Sequence, residues 1–227
     1  MSTTEPRATA PPLVAGQRLG RAEFHERYEA MPTGVRAELI GGVVHMPSPV
    51  GASHSFMSTA VIFWLRWYRS RTPGLNVTDN GTTVLGEGSE VQPDAALLIA
   101  PECGGRSRIV RNIIVDAPEL VVEVSHSTLG LDLGAKRLDY DRAGTPEYLV
   151  VALEPAEVVW HARRDGRLER VGPGEDGIYR SEVFPGLWLD PAALLADDDR
   201  ALLAALDRGL ATPEHAEFVD RLARARG

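Results

Sequence analysis

Two residue types are nearly missing from this sequence of 227 residues, and each shortage limits what the protein can do. Cys103 is the single cysteine, which excludes an intramolecular disulfide and a metal site built from several thiolates. Lys136 is the single lysine among 24 basic side chains, and arginine fills the other positions. Lysine differs from arginine where a compact charge or a removable proton is required. A functional role for Lys136 is therefore favoured over chance survival on a helix surface.

Long apolar runs and targeting segments are missing as well. The apolar stretch 61–65 is soon followed by Arg66 and Arg69, so it does not reach the roughly 18 residues that cross a bilayer. Residues 1–14 have no apolar region of the kind that a signal peptide needs. No glycine-rich nucleotide loop and no nucleophile-elbow serine occurs. We therefore predict a cytoplasmic protein with no membrane partner and no nucleotide cofactor.

The charge balance argues against one further class of protein. The formal net charge is −8, whereas proteins that coat nucleic acid nonspecifically depend on Lys and Arg to displace counterions. The same balance permits a site of several carboxylates, because a divalent ion would neutralise part of their charge.

Hydrophobic periodicity predicts helices alternating with strands. The predicted helices cover 21–30, 53–71, 131–142 and two amphipathic segments within 192–226 that break near Pro213. The predicted strands are 37–40, 43–46, 75–78, 82–85, 94–99, 120–124, 147–152, 157–161 and 168–171, with a polar loop at 100–111. This order is typical of an α/β (α+β) fold with a mixed central β-sheet flanked by helices. We predict a disordered tail at 1–18, one folded domain at 19–190 and a helical extension at 191–227.

Two of the predicted buried strands carry a carboxylate at one end. Asp94 follows Pro93 at the start of one strand, and Glu123 lies among apolar residues near the close of the other. A carboxylate in such surroundings needs a positive partner, and a divalent ion that prefers oxygen ligands, such as Mg²⁺, would supply one. Lys136 lies on the helix that follows, four residues after Asp132. The structural alternatives are a turn-capping role for Asp94 and a helix-start role for Asp132.

These residues belong to a longer series of motifs. The motifs are Glu38-Leu-Ile-Gly-Gly-Val-Val, Met46-Pro-Ser-Pro with His54 beyond it, Val91-Gln-Pro-Asp94, Leu120-Val-Val-Glu-Val-Ser125, Asp132 with Lys136 and Tyr140, and Gly144-Thr-Pro-Glu-Tyr148. Over roughly residues 20–190 the series resembles the Uma-type family of restriction-endonuclease-like proteins, within the PD-(D/E)XK nuclease superfamily. The superfamily lysine stands two residues after the acid. Here that position is Ser125, so the resemblance implies that the lysine has moved to the following helix.

The resemblance implies a restriction-endonuclease-like fold and a metal-dependent endonuclease that hydrolyses DNA phosphodiester bonds as a homodimer. It implies that Asp94, Glu123 and the backbone carbonyl of Val124 bind Mg²⁺, with Mn²⁺ as a substitute. Asp94 and Glu123 would also be catalytic, together with Lys136 and the additional acid Glu38. The lysine would orient or activate the attacking water, or stabilise the charge on phosphorus.

Two further groups of residues are candidates with less support. Residues expected to support the metal ligands and the lysine are Asp132, His54 and Ser125, although a purely structural role is favoured for His54. A basic segment between the two site strands is a candidate DNA contact or, equally, a solvated insertion; its residues are Arg106, Arg108 and Arg111.

Two other functions stay open. The same site could cut RNA or structured DNA, because no aromatic and basic platform is visible that would decide the substrate. The fold could also be retained as a catalytically idle binding or assembly module, but two acids with a lone lysine argue against that.

Overall fold

The computed structural model describes residues 10–227, which form two six-stranded mixed sheets flanked by helices. The helices are α1 (Arg21–Glu29), α2 (Ala52–Ser70), α3 (Leu129–Leu131), α4 (Arg137–Arg142), α5 (Pro191–Leu195), α6 (Asp199–Leu210) and α7 (Pro213–Ala225), with a 3₁₀ turn at Pro101–Cys103 and a π-helical turn at Asp132–Lys136. The strands are β1 (Glu38–Ile40), β2 (Val43–His45), β3 (Leu75–Asp79), β4 (Thr83–Val84), β5 (Glu90–Val91), β6 (Ala95–Ile99), β7 (Arg108–Val110), β8 (Ile113–Val115), β9 (Leu120–Ser125), β10 (Glu147–Leu153), β11 (Ala156–Arg164), β12 (Arg167–Val171), β13 (Tyr179–Arg180) and β14 (Trp188–Leu189).

The first sheet has the strand order β2-β1-β5-β4-β8-β7, with β4 and β8 parallel and the other neighbours antiparallel. It begins with the predicted hairpin of β1 and β2. Gly41 and Gly42 in its turn have φ of +56° and +76°. A two-residue turn with positive φ at both positions matches the twist of the flanking strands and suits glycine. This turn holds β1, which carries Glu38.

The second sheet has the order β12-β11-β10-β9-β6-β3, and only β9 and β10 are parallel. Every residue of β9 is buried, as expected for a strand covered on both faces. Helix α2 packs on this sheet through residues spaced three and four apart, Val61, Trp64, Leu65 and Tyr68. The predicted strands 94–99 and 120–124 are confirmed as the neighbouring strands β6 and β9.

The two ends of the described chain pack on this framework. At the start, Leu13 is buried and Arg18 forms a β-bridge with Val43, so residues 10–18 differ from the disordered tail that we predicted. The rest of that predicted tail, residues 1–9, lies outside the described residues. At the other end, Leu206 of α6 and Phe218 of α7 belong to the same core cluster as α2. The domain boundary at residue 190 stays a prediction.

Three local predictions were wrong. The polar loop predicted at 100–111 contains the 3₁₀ turn and β7, which pairs with β8. The helix predicted at 131–142 is divided by the π-helical turn. The last segment holds three helices rather than two, because Asp198 starts α6 by accepting a hydrogen bond from the Ala201 N–H.

Within residues 10–227 no helix has the length and apolar character needed to cross a membrane.

Candidate active site

The two predicted acids face each other across neighbouring strands. Strands β6 and β9 run antiparallel and pair Ala95 with Val122, so the register places Asp94 opposite Glu123. The Val124 N–H donates to Asp94 Oδ2 over 2.7 Å, which ties this carboxylate to β9. Glu123 is almost completely buried, whereas Asp94 stays partly open to solvent. One carboxylate is thus buried within β9, and the other directly precedes β6 and is partly open to solvent.

The lone lysine joins these acids from a third element. Lys136 is 5% exposed, and its Nζ lies 3.0 Å from Glu123 Oε1 and 3.2 Å from Glu38 Oε1. Asp132 Oδ1 lies 4.0 Å from the same ammonium. Glu38 is held in place because its Oε1 also accepts a 2.7 Å hydrogen bond from the Gln92 N–H. Strands β1 and β9 and the helical segment therefore bring three acids around one buried ammonium.

The helical segment that carries Lys136 is a π-helical turn, Asp132–Lys136. Short π segments inside helices occur frequently at functional sites, because they change the direction of side chains relative to an α-helix. The Tyr148 hydroxyl donates to the Asp132 carbonyl over 2.9 Å, and the Thr128 hydroxyl donates to Asp132 Oδ2 over 2.6 Å. These contacts hold the turn against β10 and against the loop after β9.

A buried carboxylate locks the β1–β2 hairpin to α4. Asp139 Oδ2 accepts hydrogen bonds from the Gly41 N–H at 2.6 Å and from the Ser89 hydroxyl at 2.5 Å. Because Asp139 follows Lys136 by one helical turn, this contact fixes the distance between the hairpin acid and the lysine. Asp139 and Thr128 are not among the site residues predicted from the sequence. Their position within one turn of Lys136 or Asp132 is the signal that could have found them.

Burial and excess negative charge dominate the electrostatics of the site. Burial raises the pKa of Glu123 well above its usual range, while Lys136 opposes that shift and the other site acids add to it. Burial also raises the pKa of Asp132. For Lys136, burial alone would lower the pKa, but Glu123, Glu38 and Asp132 outweigh it and the pKa is raised. Three carboxylates, those of Glu123, Glu38 and Asp132, therefore share one lysine.

His54 lies at the open side of the site. Its Nε2 is 3.3 Å from Asp94 Oδ2, and its Nδ1 is 3.2 Å from the Ser58 hydroxyl. The hydrogen bond with Asp94 raises the pKa of His54, and partial burial opposes that effect. Ser125, also predicted to support the site, is buried and contacts the Thr128 hydroxyl at 3.3 Å. His54 thus touches a predicted metal ligand directly, whereas Ser125 is linked to Asp132 through Thr128.

These residues form the floor of a cleft of about 970 Å³. The predicted residues that line it are Glu38, His54, Asp94, Glu123, Val124, Asp132 and Lys136. The lining also includes the segment 46–51, between β2 and α2, and His126, just after β9. The prolines of this segment belong to a motif of the sequence, but the sequence did not place the segment at the site.

The predicted DNA-contacting arginines lie elsewhere. Within residues 10–227 none of Arg106, Arg108 and Arg111 is among the side chains that line the cleft. Arg106 donates to the Gly144 carbonyl over 2.6 Å, and Arg108 pairs with Asp116 at 3.0 Å. Strand β7 is at the opposite end of the first sheet from β1 and β2. A contact of these arginines with DNA stays a prediction.

The oxygen donors of the cleft fit a hard divalent cation. Asp94 and Glu123 lie opposite each other beside Val124, and Glu123 Oε1 is buried without a hydrogen bond although Lys136 forms an ion pair with it. Among the residues that the structure describes, no group of three His, Cys, Asp or Glu side chains is arranged to hold a metal ion. Mg²⁺ is commonly bound by one or two carboxylates with water and substrate phosphate, so the donor set agrees with this ion.

Comparisons with known proteins place the chain in a family. A family model named Uma2 and described as "Putative restriction endonuclease" matches residues 21–192. The chain belongs to the Uma2 family. The matched range contains all the acids of the cleft and Lys136. A comparison with curated proteins gave no match.

A solved structure shares the fold of this Uma2 chain. It comes from Anabaena variabilis ATCC 29413 and is described as "a putative nuclease belonging to DUF820". The TM-score is 0.60 at 17% sequence identity, and the similarity covers 75% of this chain and 96% of the other. At this identity the likeness shows the fold alone, and the two mixed sheets flanked by helices agree with the predicted fold class.

A second buried glutamate lies away from the cleft. Glu147, on β10, is 1% exposed and accepts hydrogen bonds from the Ser181 hydroxyl at 2.6 Å and the Glu182 N–H at 2.7 Å. Burial raises the pKa of Glu147 from 4.5 to about 7, against the effect of these hydrogen bonds. The carboxylate of Glu147 joins β10 to the 181–184 segment. Because Glu147 is as buried as Glu123 but does not line the cleft, it is a matched control for Glu123.

Proposed function

We propose that this Uma2 chain is an Mg²⁺-dependent endonuclease that hydrolyses phosphodiester bonds of DNA. The observation that carries the proposal is the convergence of Asp94, Glu123 and Lys136 from separate elements at the floor of one cleft. A buried glutamate with a raised pKa next to a buried lysine costs stability, and such arrangements are enriched at functional sites. Membership in the Uma2 family supports nuclease chemistry in general.

The metal would be held by Asp94, Glu123 and the carbonyl of Val124, with Mn²⁺ able to replace Mg²⁺. When bound, the ion would supply positive charge beside the scissile phosphate and favour the deprotonation of an attacking water. The observation behind this assignment is the surplus of carboxylates over cations at the cleft floor.

The side chains of the protein would supply orientation and charge. Lys136 would keep an ammonium next to the reacting phosphate, where it offsets the negative charge of the transition state. Glu38 would hold this ammonium, since the two groups are 3.2 Å apart and Glu38 is itself fixed by a backbone N–H. His54 would orient Asp94 through the 3.3 Å contact.

The test is cleavage of supercoiled plasmid and of single-stranded DNA by the purified protein, with Mg²⁺, with Mn²⁺ and with EDTA. We expect cleavage that needs metal and that is lost in Asp94→Asn, Glu123→Gln and Lys136→Met. Glu147→Gln is the matched control, because it changes an equally buried glutamate outside the cleft and should keep the activity. Circular dichroism of each variant checks folding.

Two outcomes would overturn the proposal. Equal cleavage by the wild type and the three site variants would indicate a contaminating nuclease. No cleavage of any DNA by a folded, metal-loaded wild type would favour the idle binding or assembly module, and a parallel reaction with RNA would test the other alternative. The homodimer and the cytoplasmic location stay predictions.

A further inference from the structure

Large apolar side chains are exposed beside the cleft. Within the described residues the exposed large hydrophobic side chains are Val14, Met46, Val50, Phe56, Ile109, Val110 and Leu138. The first four lie at or next to the cleft, and we call them the apolar rim. Met46 and Val50 line the cleft, Val14 precedes the lining residue Ala15, and Phe56 lies one helical turn beyond the lining residue Ser53. Exposed large apolar side chains grouped beside a cleft are typical of a binding surface.

The rim is strongly exposed and built on a stiff segment. Phe56 is 71% exposed and Val50 is 55% exposed. Every residue of segment 46–51 lines the cleft, and two of them, Pro47 and Pro49, have a fixed φ. A surface that is already rigid loses little conformational entropy when a ligand binds. The rim is therefore suited to hold a planar apolar group at the entrance of the cleft.

The cleft has little positive charge with which to follow a DNA duplex. Of the residues in the described range that line it, Arg36 and Lys136 are the Arg or Lys side chains, and Lys136 is buried among carboxylates. Binding of a duplex through its phosphates depends on rows of Lys and Arg. Nucleic acid at this cleft therefore needs contacts with its bases, besides the contact of the scissile phosphate with a bound metal ion and Lys136.

Bases offer apolar faces only where they are unstacked. In a continuous duplex each face is covered by its neighbours, whereas a single strand can place its bases on apolar and aromatic side chains. His126, with its side chain 49% exposed, adds a ring to the lining of the cleft. The cleft volume of about 970 Å³ is at the upper end of the range of roughly 300–1,000 Å³ that encloses small ligands. That size suits a few nucleotides of one strand.

We propose that the apolar rim binds unstacked bases, so that the substrate of this site is single-stranded DNA or a single-stranded stretch within longer DNA. The inference rests on the proposed nuclease function and names its substrate class. Stacking of one base on an aromatic side chain changes affinity by about 5- to 150-fold. That difference is large enough for the protein to bind a single strand in preference to the duplex.

Binding is measured by fluorescence anisotropy in a Ca²⁺ buffer, with gels to confirm that the probes stay uncut. The probes are a labelled strand of about 12 nucleotides, the duplex of the same sequence, and a strand of the same length whose central sugars lack bases. The proteins are the wild type, the double variant Val50→Ser with Phe56→Ser, and the control double variant Ile109→Ser with Leu138→Ser. All four replaced side chains are exposed, and the control pair lies outside the cleft.

We expect the wild type to bind the strand at least about tenfold more tightly than the duplex or the abasic strand. The rim variant should lose at least about tenfold of its affinity for the strand, and the control variant should keep it. Duplex or abasic strand bound as tightly as the normal strand would overturn the inference, as would an unchanged rim variant or a wild type that binds no DNA.

Cleavage assays on the same probes separate this inference from the proposed function. If the strand binds in a base-dependent way but is not cleaved, the assignment of the apolar rim is supported and the proposed nuclease function is wrong. If the wild type and the rim variant cleave duplex equally fast in a metal-dependent reaction, the nuclease function is supported and the assignment of the apolar rim is wrong.

Discussion

Replacing Lys136 by methionine keeps most of the side-chain volume and removes the ammonium that Glu123 and Glu38 share. Removing one member of a buried ion pair leaves an uncompensated charge and costs about 3–5 kcal/mol of unfolding free energy. For a chain of this size each kcal/mol corresponds to roughly 2–4 °C in Tm, so Lys136→Met should melt roughly 6–20 °C lower at about pH 8. The estimate holds for protein without added metal.

The pH dependence has a definite sign. Burial already raises the pKa of Glu123, and this rise should increase when the lysine is lost. An acid whose pKa is higher in the folded state contributes stability at low pH, and that stability is lost as pH rises through the folded-state pKa. The destabilisation by Lys136→Met should therefore be smaller at about pH 5 than at about pH 8.

The assay is urea unfolding followed by circular dichroism at both pH values, in EDTA, for Lys136→Met, Glu123→Gln and the double variant. In the double variant the unpaired carboxylate is gone, so part of the loss should be recovered and the double-mutant cycle should show coupling of at least about 1 kcal/mol. If Lys136→Met is as stable as the wild type at about pH 8, or if the two changes are additive, the buried ion pair does not carry the energy assigned to it.

Three other predictions concern separate parts of the molecule. Glu147→Gln should stabilise the protein above neutral pH by up to about 3 kcal/mol, because the pKa of Glu147 is raised from 4.5 to about 7. The same change should have little effect below about pH 4.5. Urea unfolding across this pH range measures the effect, and an equal effect at both ends of the range would contradict the reasoning. Gly209→Ala should lower stability by about 1–3 kcal/mol or more, because its new Cβ would lie 2.3 Å from the Gly186 carbonyl oxygen; a thermal melt equal to the wild type would show that the backbone yields. His54→Ala should weaken metal affinity by about 10- to 100-fold through loss of the Asp94 contact, while the fold stays intact. Calorimetric titration with Mn²⁺ measures this change, and unaltered affinity would assign His54 a structural role.

Much of the secondary structure could be predicted from local patterns. The helix at α2 was predicted as the longest helical candidate, dense in apolar residues over 61–68, and the β1–β2 hairpin from Gly41-Gly42 between two short strands. Strands β7 and β8 were missed, because each is three residues long and lies in an arginine-rich stretch without clear alternation. The π-helical turn was missed because its stabilising contacts come from Tyr148 and Thr128, outside the turn itself.

The candidate site was likewise predictable in part from the sequence. Asp94, Glu123 and Lys136 were identified from residue type and position, Glu38 from the family resemblance, and the structure brings them together. By composition the basic segment, with Arg106, Arg108 and Arg111, fitted a DNA contact and a solvated insertion equally well. Strand order then placed β7 at the far end of the first sheet. Sheet order is a long-range property that charge and spacing do not contain.

The sequence by itself determined which residues are chemically unusual: an acid at the start of one apolar strand, an acid inside another, and a single lysine in an arginine-rich chain. These follow from composition and periodicity, because burying a charge is costly wherever it happens. Only the tertiary structure decided that Lys136 meets both Glu123 and Glu38, that Asp139 locks the hairpin to α4, and that the apolar rim borders the cleft. The physical reason is that distances between elements and the exposure of a side chain depend on how sheets and helices pack, and residues far apart in the chain set that packing together.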